Sequence, residues 1–78
     1  MTWIECSYPT HDGDDNNPIN LSNVDYFERI SVEYMSNKYN WMIKFHFNHD
    51  YVCWYYPSEH ERNKNYQHIQ DRIRDMQK

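Results

Sequence analysis

Residues 41–47 alternate without a break, with Trp41, Ile43, Phe45 and Phe47 on one side and Met42, Lys44 and His46 on the other. A period of two specifies a half-buried strand and argues against a helix. Asn48-His49-Asp50 suits a tight hairpin even without glycine. Residues 51–56, Tyr-Val-Cys-Trp-Tyr-Tyr, are then apolar or aromatic on both sides. A strand with no polar side is normally central in a sheet, or one side of it meets a partner. Pro57 closes it, because proline cannot donate to a ladder. Any fold of this chain must therefore contain this hairpin and either cover or use both of its sides.

The segment after Pro57 supplies a partial cover. Ser58 with Glu61 three residues later is a capping box. Arg62, Tyr66, Ile69, Ile73 and Met76 recur at helical spacing and form a narrow stripe, which predicts a helix over 59–76. Upstream, weak alternation over residues 2–8 sets Ile4, Cys6 and Tyr8 against Trp3, Glu5 and Ser7 and argues a short strand. Residues 9–18 hold the only glycine and two of the three prolines and read as an exposed polar loop. Residues 19–24 form a brief apolar–polar segment with a turn at Ser22-Asn23. Over 24–34 the even positions Val24, Tyr26, Ile30, Val32 and Tyr34 are apolar or aromatic, with Glu28 as a break, and 36–40 supply a turn. The expected fold class is α+β: an antiparallel β-meander of three to four strands with one C-terminal α-helix packed on one face, in a single domain spanning 1–78.

A chain of this size buries only about 60–65% of its unfolded surface, so its core must be dense. Three Trp, eight Tyr and three Phe provide that density, against one leucine (Leu21), one glycine (Gly13) and no alanine. One helix covers one face of a sheet and cannot cover two. The stripe is expected over Tyr51, Cys53 and Tyr55, since cysteine is among the residues most often buried. Trp54 and Tyr56, with Trp41 or Met42 beside them, are then the candidate partner-binding face. Tyr and Trp suit such a face because they contribute large, rigid contact area.

The formal net charge is −4, and the first 28 residues carry six acids and no Lys or Arg. An acidic chain repels phosphate, which disfavours sequence-independent nucleic-acid binding. Asp12, Asp14 and Asp15 are candidate contacts to a protein partner with a basic surface. Aromatic residues on an open sheet can also stack bases, and Trp41, Tyr55, Trp54 and Lys44 are the residues for that alternative. Self-association of the same face into a homodimer is a further one.

No stretch approaches the roughly 18 apolar residues that span a membrane. The first residues are polar and acidic where a secretory signal needs a basic start and an apolar run. The expectation is a cytoplasmic protein with Cys6 and Cys53 as reduced thiols.

The spacings Trp3-Ile4, Ile19-Asn20-Leu21-x-x-Val24, Trp41-x-Ile43, Trp54-x-Tyr56 and Ser58-x-x-Glu61 resemble those of very short phage and bacterial proteins built as a β-meander with one terminal helix. That resemblance implies the fold and, by analogy, action by binding and blocking a host protein. It carries no functional residues over.

Chemical motifs are sparse. His46, His49, Cys53 and Cys6 are the best zinc candidates, but His46 and His49 point to opposite faces of a continuous strand. Asp12-x-Asp14-x-Asn16 imitates the start of a calcium loop but lacks its glycine and its closing glutamate. One glycine cannot make a phosphate-cradling loop. No catalytic residue, cofactor or metal is expected, and the chain reads as a non-enzymatic protein-interaction module.

Overall fold

A computed structural model describes residues 2–11 and 14–77 of the chain, with the backbone alone at His11 and Asp14. Two short ribbons and a 3-10 turn precede the main sheet. Strands β1 (Trp3–Ile4) and β4 (Ile19–Asn20) pair antiparallel, as do β2 (Thr10–His11) and β3 (Asp14–Asp15). A 3-10 turn over Leu21–Asn23 follows β4. Then come β5 (Tyr26–Met35), β6 (Lys38–Phe47) and β7 (Asp50–Tyr56), an antiparallel meander in the order β5-β6-β7, and the helix α1 (Glu59–Met76). The architecture is α+β, as the alternation and the helical stripe predict.

Several local causes are visible. The two hairpins turn at Asn37 (φ 63) and Asn48 (φ 32), where asparagine enters the left-handed region in turns that hold no glycine. Ser58 caps α1, its hydroxyl accepting from the Glu61 N–H at 3.3 Å. Glu28 does not interrupt β5: it pairs with Lys44 within the ladder, and the irregularity falls between Glu33 and Met35.

Directly opposed residues of an antiparallel ladder share a face, so the register assigns both faces. Ile43 lies opposite Trp54, Phe45 opposite Val52 and Phe27, and Trp41 opposite Tyr56. This set points towards α1 and the N-terminal ribbon. Ile4, Cys6, Ile19, Leu21 and Ile69 pack there against Ile43, Phe45, Trp54 and Tyr56, with Phe27, Trp41, Val52, Tyr66 and Ile73 around them. Phe45 and Trp54 meet edge to face at 4.7 Å between ring centroids.

The side of the sheet beneath the helix is therefore opposite to the expected one. Trp54 is fully buried, Tyr56 nearly so and Trp41 half-buried, all on the helix side. Tyr51, Cys53 and Tyr55 lie on the other side. The cause is the two-residue turn: with Phe47 opposite Asp50, Val52, Trp54 and Tyr56 must share the face of Phe45, Ile43 and Trp41.

Three buried polar residues tie the layers together, and each is satisfied. Asn16 follows the exposed Asp15 and precedes the exposed Asn17 and Pro18, yet it is buried against the outer edge of β7. Asn65 on α1 accepts at Oδ1 from the Tyr56 hydroxyl and from the backbone N–H and hydroxyl of Ser7. Arg62 donates to the Ile30 carbonyl (3.2 Å) and the Ser31 hydroxyl (2.7 Å) and lies over the Trp41 ring. Among the described residues no buried side-chain nitrogen or oxygen lacks a partner, so these residues anchor the helix and the N-terminal segment without the desolvation penalty of an unmet polar group.

Candidate functional site

The sheet face turned away from α1 is the candidate site. Tyr26, Glu28, Ile30 and Val32 of β5, Asn40, Met42, Lys44 and His46 of β6, and Tyr51, Cys53 and Tyr55 of β7 share it by register. Among the described residues no element packs over this face. Tyr26 and Tyr51 are each 57% exposed and Val32 46%. Met42 alone is buried, because Ile30 and Tyr55 flank it on the two neighbouring strands.

Glu28, His46 and Lys44 each have a contact within the face. The Tyr26 ring stacks on His46 at 4.1 Å between centroids. His46 Nε2 donates to the Glu28 carboxylate at 2.6 Å. The Lys44 ammonium lies 4.2 Å above the centre of the Tyr51 ring. Each pairing fixes an aromatic side chain that would otherwise lose rotamer freedom on binding, so the face is partly preorganised for contact.

The face runs on into a protruding arm. β7 ends at Tyr56, opposite Trp41, so the β5–β6 hairpin beyond that point is a two-stranded ribbon. Tyr34 and Met35, 57% and 61% exposed, lie at its tip with Tyr39 near them. The molecule is correspondingly elongated, 43 × 26 × 18 Å.

The residues singled out in the sequence are thus divided. Met42 lies on the open face, whereas Trp41, Trp54 and Tyr56 belong to the helix side, where Trp54 and Tyr56 are core. The base-stacking platform of Trp41, Tyr55, Trp54 and Lys44 does not assemble, since Tyr55 and Lys44 are on one side and the two tryptophans on the other. Of the acidic candidates, Asp15 is exposed; Asp12 and the Asp14 side chain lie outside the described residues. Asp15 precedes Asn16, whose grip on Tyr55 keeps Asp15 beside the outer edge of β7. Tyr26, Ile30, Val32 and Tyr51 were missed as candidates, although the parity of β5 and β7 against β6 contains them.

The metal candidates are dispersed. Cys6 packs in the core and Cys53 lies on the open face, with the sheet between them; both are free thiols. Among the described residues no group of three or more His, Cys, Asp or Glu side chains could hold a metal ion. The Asn16 amide oxygen of the calcium-like motif is occupied by the Tyr55 N–H. Burial pushes the Cys6 and Cys53 thiols up from their ordinary range, Lys44 offsetting part of the effect at Cys53, so neither is activated as a thiolate.

No family model, curated protein or solved structure matches the chain. No helix among the described residues is long and apolar enough to cross a membrane.

Proposed function

We propose that this protein is a small non-enzymatic interaction module that binds a protein partner through the uncovered face of its three-stranded sheet. One observation carries the proposal: that face presents Tyr26, Ile30, Val32, Tyr51 and Tyr55 around a buried Met42, with nothing over them among the described residues. Interface cores are enriched in Tyr and Met and poor in unpaired charge, and here Glu28 and His46 pair with each other. The acidic rim at Asp15 favours a partner with basic residues beside an apolar patch. A cytoplasmic inhibitor of phage type, occupying a surface of a host protein, is the biological form this proposal takes.

Single-stranded nucleic acid is the competing ligand for an aromatic sheet, and the net charge of −4 opposes it. The test is capture from a host extract by the immobilised protein, beside a Tyr26→Ser/Tyr51→Ser variant. A stoichiometric protein retained by the parent and lost by the variant supports the proposal. Equal capture by both, or retention of nucleic acid in place of protein, contradicts it.

A further inference from the structure

The two edges of the main sheet are treated differently. At β7 the Asn16 side chain takes the backbone N–H and C=O of Tyr55, both at 2.9 Å, and so occupies the outward-facing edge at that residue. At β5, ten residues long, no strand pairs on the outer side among the described residues. Every β5 residue is exposed or half-exposed, and the strand contains no proline. Such an edge is a template for another strand unless something blunts it.

The register identifies which groups it offers. Tyr55 faces outward on β7 and is opposite Met42, which is in turn opposite Ile30. Backbone direction alternates along an antiparallel ladder, so Ile30 bonds inward to β6 while Arg29, Ser31 and Glu33 turn their N–H and C=O groups outward. The middle of this stretch is held in place: Arg62 bonds Ile30 and Ser31 from the helix side, and Arg29 stacks over the Tyr66 ring at 4.7 Å.

The same stretch is self-complementary. If two copies of β5 pair antiparallel about a two-fold axis at Ser31, Arg29 of each lies opposite Glu33 of the other, and Ile30 lies opposite Val32. Among the described residues neither Arg29, stacked on Tyr66, nor Glu33 takes part in an ion pair. Centring the pair on Arg29 would oppose two guanidinium groups, and centring it on Ile30 would set Phe27 against Glu33. The charge pattern therefore selects Ser31.

We infer that the β5 edge is a self-association site whose occupant is a second copy of this chain, paired antiparallel through residues 29–33. The dimer is a continuous six-stranded sheet with both helices on one side and both open faces joined on the other. This inference concerns the edge and does not rest on the partner-binding role proposed for the face.

Sedimentation equilibrium over a wide concentration range tests it on the intact protein, with circular dichroism confirming that each variant is folded. The parent should show a monomer–dimer equilibrium. Arg29→Glu and Glu33→Arg should each weaken it at least about tenfold, because like charges then face each other twice. The double variant Arg29→Glu/Glu33→Arg should restore it, since each pair is re-formed with its signs exchanged. A single monomeric mass up to about 1 mM, the weak end of specific association, overturns the inference. So does a dimer that ignores both single reversals, or one that the double exchange fails to rescue.

Discussion

The side-chain amide of Asn16 pairs with the backbone of Tyr55 at two points, Nδ2 donating to the carbonyl and Oδ1 accepting from the N–H, each at 2.9 Å. The amide stands where a fourth strand would otherwise bond. Its Nδ2 also donates to the Tyr8 carbonyl, and the Asn16 N–H donates to the Pro9 carbonyl at 2.8 Å. One side chain therefore ties Tyr8 to β7 and occupies that edge at Tyr55.

Replacing it should be costly out of proportion to its size. Asn16→Ala leaves the Tyr55 N–H and C=O without these partners and should destabilise the fold by about 2–3 kcal/mol. Asn16→Asp should recover only part, because a carboxylate can accept from Tyr55 N–H but cannot donate to either carbonyl. Urea midpoints at unchanged slope measure both losses.

The two faces should answer differently to truncation. Trp54 is fully buried, packs against Phe45 and donates from its indole nitrogen to the Asn17 carbonyl at 2.8 Å. Trp54→Ala should cost about 3–5 kcal/mol, the range for a large core aromatic, which is enough to unfold a marginal domain. Tyr51→Ala on the open face should cost about 1 kcal/mol or less. Thermal unfolding of the two variants side by side decides the matter.

The helix, its cap and the two long strands of the second hairpin were legible because short-range rules govern them. Ser58 and Glu61 announce a helix start, and Trp41 to Phe47 alternate cleanly. The face of β7 was not legible from β7 alone, because Val52, Trp54 and Tyr56 are as apolar as Tyr51, Cys53 and Tyr55. It follows only once the turn at Asn48-His49 is taken as two residues, which aligns β7 with β6. In β5 the apolar even positions mark a strand without saying which way it faces: they form the open face, and Phe27, an odd position, packs against the core. The alternation over residues 2–8 holds β1, which is shorter than read, whereas β2 and β3, two residues each, carry too little periodicity to read. Asn16 and Asn65 are polar residues whose burial depends on partners distant in sequence, and no local pattern reveals that.

Stability should fall at high pH. Burial pushes the Cys6 and Cys53 thiols above their ordinary 9.0 and the Tyr56 phenol above its ordinary 10.0. The unfolded chain therefore releases these protons at lower pH than the native state does. Stability contributed by the buried neutral forms is complete below about pH 9 and is lost as pH rises beyond it. The urea midpoint should be lower at about pH 10.5 than at about pH 8, and Cys6→Val should reduce that difference. At neutral pH both thiols should react slowly with a disulfide reagent, the half-exposed Cys53 ahead of the buried Cys6.

The most direct test of the open face as the working surface is the affinity of the captured partner for Tyr51→Ala and Val32→Ala, measured by calorimetry on folded protein. At least one of them should lose about 2 kcal/mol of binding, roughly thirtyfold in Kd, while its melting temperature stays close to the parent's. Parent-like affinity in both variants, with binding lost instead on Asp15→Lys at the β7 rim, would contradict it and move the contact from the sheet face to the acidic segment.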